Sequence, residues 1–218
     1  MSISKTTPNA RAKKRGQGRP VSGENDVGRE RLLTATEKLL RSLPPARVTI
    51  SRIAQEAGVD PALIRYYFGN RAALLVAVVD RVTAHPNRNT NIGSDPALAL
   101  REHIARTVQL VRRAPYLHRL INDELADSGT EETQSRLRAM NLDLVAFYRS
   151  LLQADGGEQL NQANPLFLYV AILGASDFFS SAEPLVRDLV PADTDMEALT
   201  EDFQAFLATL VLDGLRKR

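Results

Sequence analysis

Apolar residues recur at steps of three and four along almost the whole chain from Val27 onward, the spacing that gives an α-helix one buried face. No stretch alternates apolar and polar residues with an enrichment of β-branched side chains, so we expect no sheet and no internal repeat. A chain of 218 residues can bury a core without a disulfide or a metal ion. The sequence therefore predicts an all-α protein.

Proline and glycine residues divide the first part of the chain into short helices. The first predicted helix starts at Val27 and ends before Pro44. Thr49 is suited to an N-cap, and Gly58 is suited to the left-handed conformation that follows a helix C-terminus. Asp60 is expected to cap a third short helix, and a fourth runs from residue 71 to about residue 83.

The remaining helices follow a loop at residues 85–94 that is rich in Pro, Asn and Gly. Helices are expected at 96–113, 115–127, 131–154, 165–181 and 184–190, and from 194 or 195 onward. Residues 1–26 have almost nothing to bury, so we expect a flexible basic arm there. The expected domains are residues 27–84 and residues 85–218.

The charge of the chain changes sign at this loop. Residues 1–90 contain 16 Lys and Arg against 7 Asp and Glu, whereas residues 91–218 contain 12 against 19. A basic N-terminal part suits a polyanion, and an acidic C-terminal part would be repelled by one.

Several classes of protein are disfavoured by the composition. The chain has no Cys, which removes disulfides, thiolate zinc sites and cysteine nucleophiles and fits a reducing compartment. The three His residues are scattered, so we expect no metal site and no cofactor. No apolar run is long enough for a signal peptide or a membrane span, and we therefore expect a cytoplasmic protein without a membrane partner.

The most informative segment runs from Thr49 to Phe68. Two short helices joined by a tight turn at Gly58 are typical of a helix-turn-helix, whose second helix enters the major groove of DNA. Ala54 lets the two helices approach closely, and Val59 fills the corner between them. A plain helical hairpin is the alternative, but the basic surroundings favour DNA binding.

The motif belongs to a longer set of residues. The set consists of the run from Arg29 through Ala35, followed by Ile53, Ala54, Ala57, Gly58, Val59, Ile64, Tyr67, Phe68, Asn70, Arg71, Leu74 and Leu75. With this set, residues 28–76 resemble the N-terminal domain of TetR-type bacterial transcriptional regulators. The chain has Arg at position 65, where many members have Tyr, and Arg at position 71, where Lys is usual. The resemblance implies an all-helical homodimer whose C-terminal domain binds a small molecule and thereby weakens its binding to an operator.

Each outward residue of the motif has an expected contact with DNA. Arg65 is expected to bind guanine O6 and N7 or, as the alternative, a phosphate. Pro61, Ala62 and Leu63 could meet thymine methyl groups, and Tyr66 a base or its phosphate. Phosphate contacts that position the domain are expected from Thr49, Ser51, Arg52, Tyr67 and Arg71. For Tyr67, a half-buried ring packed on the first helix is an equal alternative.

The N-terminal arm carries a Gly18-Arg19-Pro20 core with further basic residues before it. Such an arm can insert Arg19 into the minor groove of an A·T-rich stretch. A solubilising basic tail explains the same composition equally well.

Two apolar helices in the C-terminal half predict dimerisation. The segment 165–181 is apolar nearly all round, and the last helix carries an apolar stripe at steps of three and four. We expect these helices to pair with their copies in a four-helix interface. A monomer core is the alternative. The expected interface residues are Leu173, Gly174, Phe203, Phe206 and Leu210.

A ligand cavity is expected among the helices of residues 96–179, where aromatic side chains gather with a few polar groups. An ordinary core explains the same set. The candidate effector-binding residues are Tyr116, His118, Asn122, Asn141, Phe147, Tyr148, Phe167, Tyr169 and Phe178.

The sequence as a whole predicts a dimeric, sequence-specific DNA-binding transcriptional regulator, with double-stranded DNA, a second copy and an unknown small-molecule effector as its partners. A repressor released from a palindromic operator is the form we expect. A nonspecific nucleoid-type DNA-binding protein without a ligand is one alternative. An enzyme is a more remote one, because the acidic pairs are adjacent and point apart on a helix, and neither a phosphate loop nor a nucleophile elbow is present.

Overall fold

The computed structural model describes residues 22–87, 95–125, 130–154 and 163–216, and these residues form helices and short connections without a β-strand. The predicted all-α class is confirmed. The helices are α1 Ser22–Ser42, α2 Ile50–Ala57, α3 Ala62–Phe68, α4 Arg71–Asn87, α5 Pro96–Arg113, α6 Leu117–Arg119, α7 Glu131–Leu152, α8 Pro165–Ser181, α9 Glu183–Leu189 and α10 Met196–Leu215, with a 3₁₀ turn at Pro45–Arg47.

The N-terminal unit is built on α1 and α4. α1 packs across α2 and along α4, and α3 packs on α4. Apolar residues at helical spacing on each of these helices meet in one core, because each helix has a single apolar face to bury. The fully buried members of this core include Leu32, Ile53, Ile64, Leu74, Leu75, Val78 and Val79.

The C-terminal unit has α5 at its centre. α8 and α10 pack against α5, and α7 packs against α8. The second core lies between these helices and includes Leu100, Ile104, Tyr148, Leu151, Leu168, Ile172, Leu207 and Leu212.

α4 joins the two units through side chains that point in different directions. Arg81 Nε lies 2.9 Å from Glu37 Oε1 of α1. The neighbouring Asp80 forms an ion pair with Arg136 of α7. A shift of α4 therefore changes contacts in both units at once.

Three boundaries differ from the predicted ones. α1 begins at Ser22 rather than at residue 27, and α4 continues to Asn87. The predicted helix at 115–127 is the short α6 followed by a π-helix at Leu120–Leu125. Leu120 and Leu125 are both fully buried, and the wider π-turn brings residues five apart closer to one side of the helix.

Candidate DNA interface and effector cavity

α2 and α3 form a helix-turn-helix whose ends are capped as the sequence predicts. Thr49 Oγ1 accepts a hydrogen bond from the backbone N–H of Arg52 at 3.4 Å. Gly58 ends α2 in the left-handed conformation, with φ 65° and ψ 37°. Asp60 Oδ1 accepts a hydrogen bond from the N–H of Ala62 at 2.7 Å, which starts α3.

The outer face of α3 is exposed. Pro61, Ala62, Arg65 and Tyr66 all face away from the core, whereas Leu63 is half-buried and packs against it. Among the residues that the structure describes, none forms an ion pair with Arg65. Its guanidinium group can therefore bind a base edge or a phosphate without first breaking an internal contact.

The start of α2 offers a second, phosphate-type surface. Ser51 and Arg52 are exposed in its first turn, where backbone N–H groups favour an anion. The Thr49 hydroxyl uses an oxygen lone pair for its cap, so its O–H remains able to donate to a phosphate. These three positions suit backbone contacts that orient α3.

Tyr67 turns inward, which is the alternative that the sequence left open. Its ring is half-buried and meets the Phe68 ring at a centroid distance of 6.5 Å. A Cβ atom on Gly28 of α1 would lie 2.8 Å from the Tyr67 hydroxyl. The ring therefore packs on α1, and glycine at position 28 makes that close approach possible.

Arg71, which we expected to contact a phosphate, forms hydrogen bonds within the domain. Its Nε donates to the carbonyl oxygen of Val48 at 2.7 Å, and its Nη2 donates to that of Pro45 at 2.5 Å. Both carbonyls belong to the connection between α1 and α2. The half-buried guanidinium group thus holds the start of α2 in place from within the domain.

A small cavity of about 50 Å³ lies where α4, α5, α7 and α8 meet. Its most polar side chain is His103, which is 3% exposed. His103 Nε2 lies 2.8 Å from the Tyr148 hydroxyl and 3.4 Å from Thr107 Oγ1. The lining residues are Thr83, His103, Thr107, Leu110, Met140, Leu144, Tyr148, Tyr169 and Leu173.

His103 is a neutral imidazole in this setting. Burial, together with the positive charge of Arg106, lowers the pKa of His103 to about 4. Its Nδ1 has no hydrogen-bond partner among the described residues. A neutral ring with one unused nitrogen can accept or donate one hydrogen bond, depending on its tautomer.

Four of the predicted effector residues gather around this cavity. Tyr148 and Tyr169 line it, and the Tyr169 hydroxyl donates to Asn141 Oδ1 at 3.1 Å. The Phe147 ring lies 4.7 Å from the His103 ring, centroid to centroid. His103 and Thr107 were not among the predicted residues, although their spacing of four on an otherwise apolar face of α5 marks them as neighbours.

The other five predicted effector residues lie elsewhere. Phe167 and Phe178 are 69% and 64% exposed, and Tyr116 lines a different cleft. His118 and Asn122 are exposed and contact each other, with 3.1 Å between the Asn122 amide nitrogen and His118 Nε2. The apolar face of α8 that carries the two Phe residues points away from the cavity.

We call this surface the outer apolar face; it comprises Phe167, Val170, Gly174 and Phe178 of α8 together with Phe206 and Leu210 of α10. All six residues are exposed. The two helices are joined beneath it by Phe179 and Phe203, whose stacked rings are 4.1 Å apart. Of the predicted interface residues, Gly174, Phe206 and Leu210 lie on this face, whereas Leu173 lines the cavity and Phe203 is half-buried in its ring stack.

Two family models match the chain. Residues 32–78 match the bacterial regulatory proteins of the tetR family, and residues 93–217 match the tetracyclin repressor-like C-terminal domain, which alone covers more than half of the chain. The chain belongs to the TetR family. It is a DNA-binding transcriptional regulator and not an enzyme.

TetR-family relatives match over most of their length. The chain is 25% identical over 206 residues to the HTH-type transcriptional repressor NicS of Pseudomonas putida, covering 88% of this chain and 94% of the relative. It is 25% identical over 187 residues to the HTH-type transcriptional regulator BetI of Rhizobium meliloti, covering 79% of this chain and 92% of BetI. The crystal structure of NalD, the secondary repressor of the MexAB-OprM multidrug efflux pump in Pseudomonas aeruginosa, shares the fold, with a TM-score of 0.66 and 20% identity over 90% of this chain and 99% of NalD.

Neither a membrane span nor a metal site is found among the described residues. Within the described ranges, no single helix is long and apolar enough to cross a membrane; two bent pairs, α3 with α4 and α8 with α9, reach that length and composition only together. The described side chains also include no group of three or more His, Cys, Asp or Glu that could hold a metal ion. The predicted minor-groove residue Arg19 lies outside the described residues.

Proposed function

We propose that this TetR-family regulator is a cytoplasmic homodimer that represses transcription from a palindromic operator and leaves it when a small molecule enters the cavity around His103. The observation that carries the proposal is the double role of α4. Asp80 and Arg81 of α4 hold α7 and α1, and Thr83, less than one turn further on, lines the cavity. NicS and NalD, both repressors, support the direction of the control.

The outer apolar face supports the homodimer. Phe167 and Phe206 are 69% and 62% exposed, and large contiguous apolar patches are uncommon on the surface of monomeric proteins. A Cβ atom on Gly174 would meet nothing within 4 Å, so a second copy can approach the backbone of α8 closely. A two-fold interface presents two α3 helices to the DNA, which matches a palindrome.

The cavity supports a ligand that is mostly apolar and carries one or two polar groups. His103 Nδ1 offers one hydrogen bond without a charge, because the low pKa of His103 keeps the ring neutral at pH 7. Known ligand pockets hold about 300–1,000 Å³, so a ligand must enlarge this cavity by moving flexible side chains such as Met140. Met140 Sδ lies 3.6 Å from Thr83 Oγ1, so a movement of Met140 changes a contact with α4.

DNase I footprinting on genomic fragments selected by the protein tests the proposal. We expect a two-fold symmetric footprint and a preference for that site of about 10³ or more over random DNA. A screen for small molecules that raise the melting temperature should then yield a compound that weakens operator binding. Equal affinity for every sequence would favour the nucleoid-type alternative, and an asymmetric footprint would exclude the two-fold dimer.

A further inference from the structure

A larger cleft lies beside the cavity, between the N-terminal and C-terminal units. It has a volume of about 500 Å³ and shares only Leu110 with the cavity around His103. Helix α1 forms one wall, α5 forms the other, and Val82 of α4 lies between them. The lining residues are Glu37, Arg41, Val82, Ala105, Arg106, Gln109, Leu110, Arg113, Ala114 and Tyr116.

The charge of this interdomain cleft is positive. Three guanidinium groups line it, Arg41 from α1 and Arg106 and Arg113 from α5, against the single carboxylate of Glu37. Glu37 already lies 2.9 Å from the Nε of Arg81. The described residues provide no ion-pair partner for Arg41 or Arg113, so two of the three cations remain available to a ligand.

The rest of the lining is largely apolar, with one buried hydroxyl group. Val82, Leu110 and two Ala residues give it an apolar floor. Tyr116 is only 5% exposed, and its hydroxyl has no hydrogen-bond partner among the described residues. Burial and the nearby Glu37 raise the pKa of Tyr116 to about 12, which leaves the hydroxyl protonated and able to donate. An apolar floor with a few convergent polar groups is typical of small-molecule sites.

We propose that the interdomain cleft binds an organic anion. A carboxylate or phosphate group would be held by Arg41 and Arg113 and by the Tyr116 hydroxyl, since guanidinium groups bind such planar or tetrahedral anions through paired hydrogen bonds. The apolar body of the ligand would lie on Val82 and Leu110. This site is distinct from the cavity around His103, which offers no cation.

Occupancy of the cleft ties α1 to α5. Because α1 belongs to the DNA-reading unit and α5 to the C-terminal unit, a bound anion changes the relative energy of their arrangements. This consequence for DNA affinity rests on the proposed function, whereas the binding site itself does not.

Isothermal titration of the full-length protein without DNA tests the site. The probes are benzoate, octanoate and phenyl phosphate. Benzoate and octanoate are compared with the neutral amides benzamide and octanamide, and phenyl phosphate is compared with inorganic phosphate, which lacks the apolar group. We expect at least one organic anion to bind, with an affinity at least tenfold above that of its counterpart. The carboxylate and phosphate probes distinguish the two possible head groups.

Two variants locate the binding. Arg41→Gln and Arg113→Gln should each weaken the anion about tenfold or more, as expected for a lost charge-assisted hydrogen bond. Arg187→Gln is the matched control, because Arg187 is an exposed arginine of α9 outside the cleft and should leave the affinity unchanged.

The proposal is overturned if none of the three organic anions binds, if a counterpart binds as tightly as its anion, or if Arg187→Gln weakens binding as much as the cleft variants do. Thermal melts confirm that each variant is folded before titration. Gel shifts with and without saturating anion then address DNA affinity. Anion binding by a protein that protects no genomic fragment would refute the proposed function and leave the cleft site standing.

Discussion

Replacing Arg71 separates the role that the structure gives it from a role in binding phosphate. Arg71→Ala removes, among its contacts, the hydrogen bonds at 2.7 and 2.5 Å that this charged group donates to the carbonyls of Val48 and Pro45. Bonds to charged groups contribute about 1.5–3 kcal/mol each, and water can reach part of this half-buried site, so we expect a total loss of about 3 kcal/mol. At ~2–4 °C per kcal/mol for a chain of this size, the melting temperature should fall by about 6–12 °C.

Arg65→Ala is the matched control, since it removes the same side chain from an exposed position with no described ion pair. It should change the free energy of unfolding by less than about 0.5 kcal/mol. The two variants are compared by urea unfolding and by operator titration at several salt concentrations. Below its melting temperature, Arg71→Ala should keep the wild-type salt slope, because no phosphate contact is lost.

The opposite pattern would refute this reasoning. If Arg71→Ala melted like the wild type and reduced the slope of log K against log salt by ~0.9, Arg71 would be a phosphate contact after all. If Arg65→Ala lowered the free energy of unfolding as much as Arg71→Ala does, Arg65 would have to make stabilising contacts that its exposed position does not show.

Three other outcomes are expected. Arg65→Ala should cost about 1–3 kcal/mol on the operator and relax the preference at one base pair, measured with operator variants. Phe206→Glu places a charge on the outer apolar face and should give a folded monomer with poor operator binding. If the variant sedimented as a dimer, the interface would not include this face. Because the folded-state pKa of His103 is lowered to about 4 from 6.5, the unfolded state binds more protons between these values, so about 3 kcal/mol of stability present above pH 6.5 should be lost towards pH 4. The free energy of unfolding of His103→Gln, measured with urea, should not show this loss between pH 6.5 and pH 4.

Features that depend on neighbouring residues in the chain were predictable from the sequence. The caps at Thr49 and Asp60 involve backbone groups two or three residues away, so the residue type nearly determines the structure. The left-handed turn at Gly58 is local in the same sense. The helix-turn-helix could therefore be identified before its packing was known.

Arg71 shows the limit of reasoning from neighbouring residues. Its position at the start of α4, beside a basic motif, fits a phosphate contact, and nothing within a few residues argues against it. The carbonyls that it binds belong to residues 23 and 26 positions earlier in the chain. Only the packing of α1, α2 and α4 brings them to the guanidinium group.

Helix α8 shows that the sequence alone does not assign the two sides of an apolar helix, here the side expected to bind an effector and the side expected to form the dimer interface. Because it is apolar nearly all round, its periodicity does not indicate which side faces the cavity. Phe167 and Phe178, which we expected to bind an effector, lie on the exposed side, and Leu173, which we expected in the dimer interface, lines the cavity. The orientation follows from α5: Leu168 and Ile172 pack against α5 and α7, which turns Tyr169 and Leu173 towards the cavity and leaves the two Phe residues outside. A helix that is apolar on both sides has two sides to bury, and the described residues cover only one side of α8. The second copy that we propose would cover the other side, so the residues of α8 that line the cavity and those that would join the dimer lie on opposite faces of one helix. A ligand that tilts α8 from within would then also shift the proposed interface.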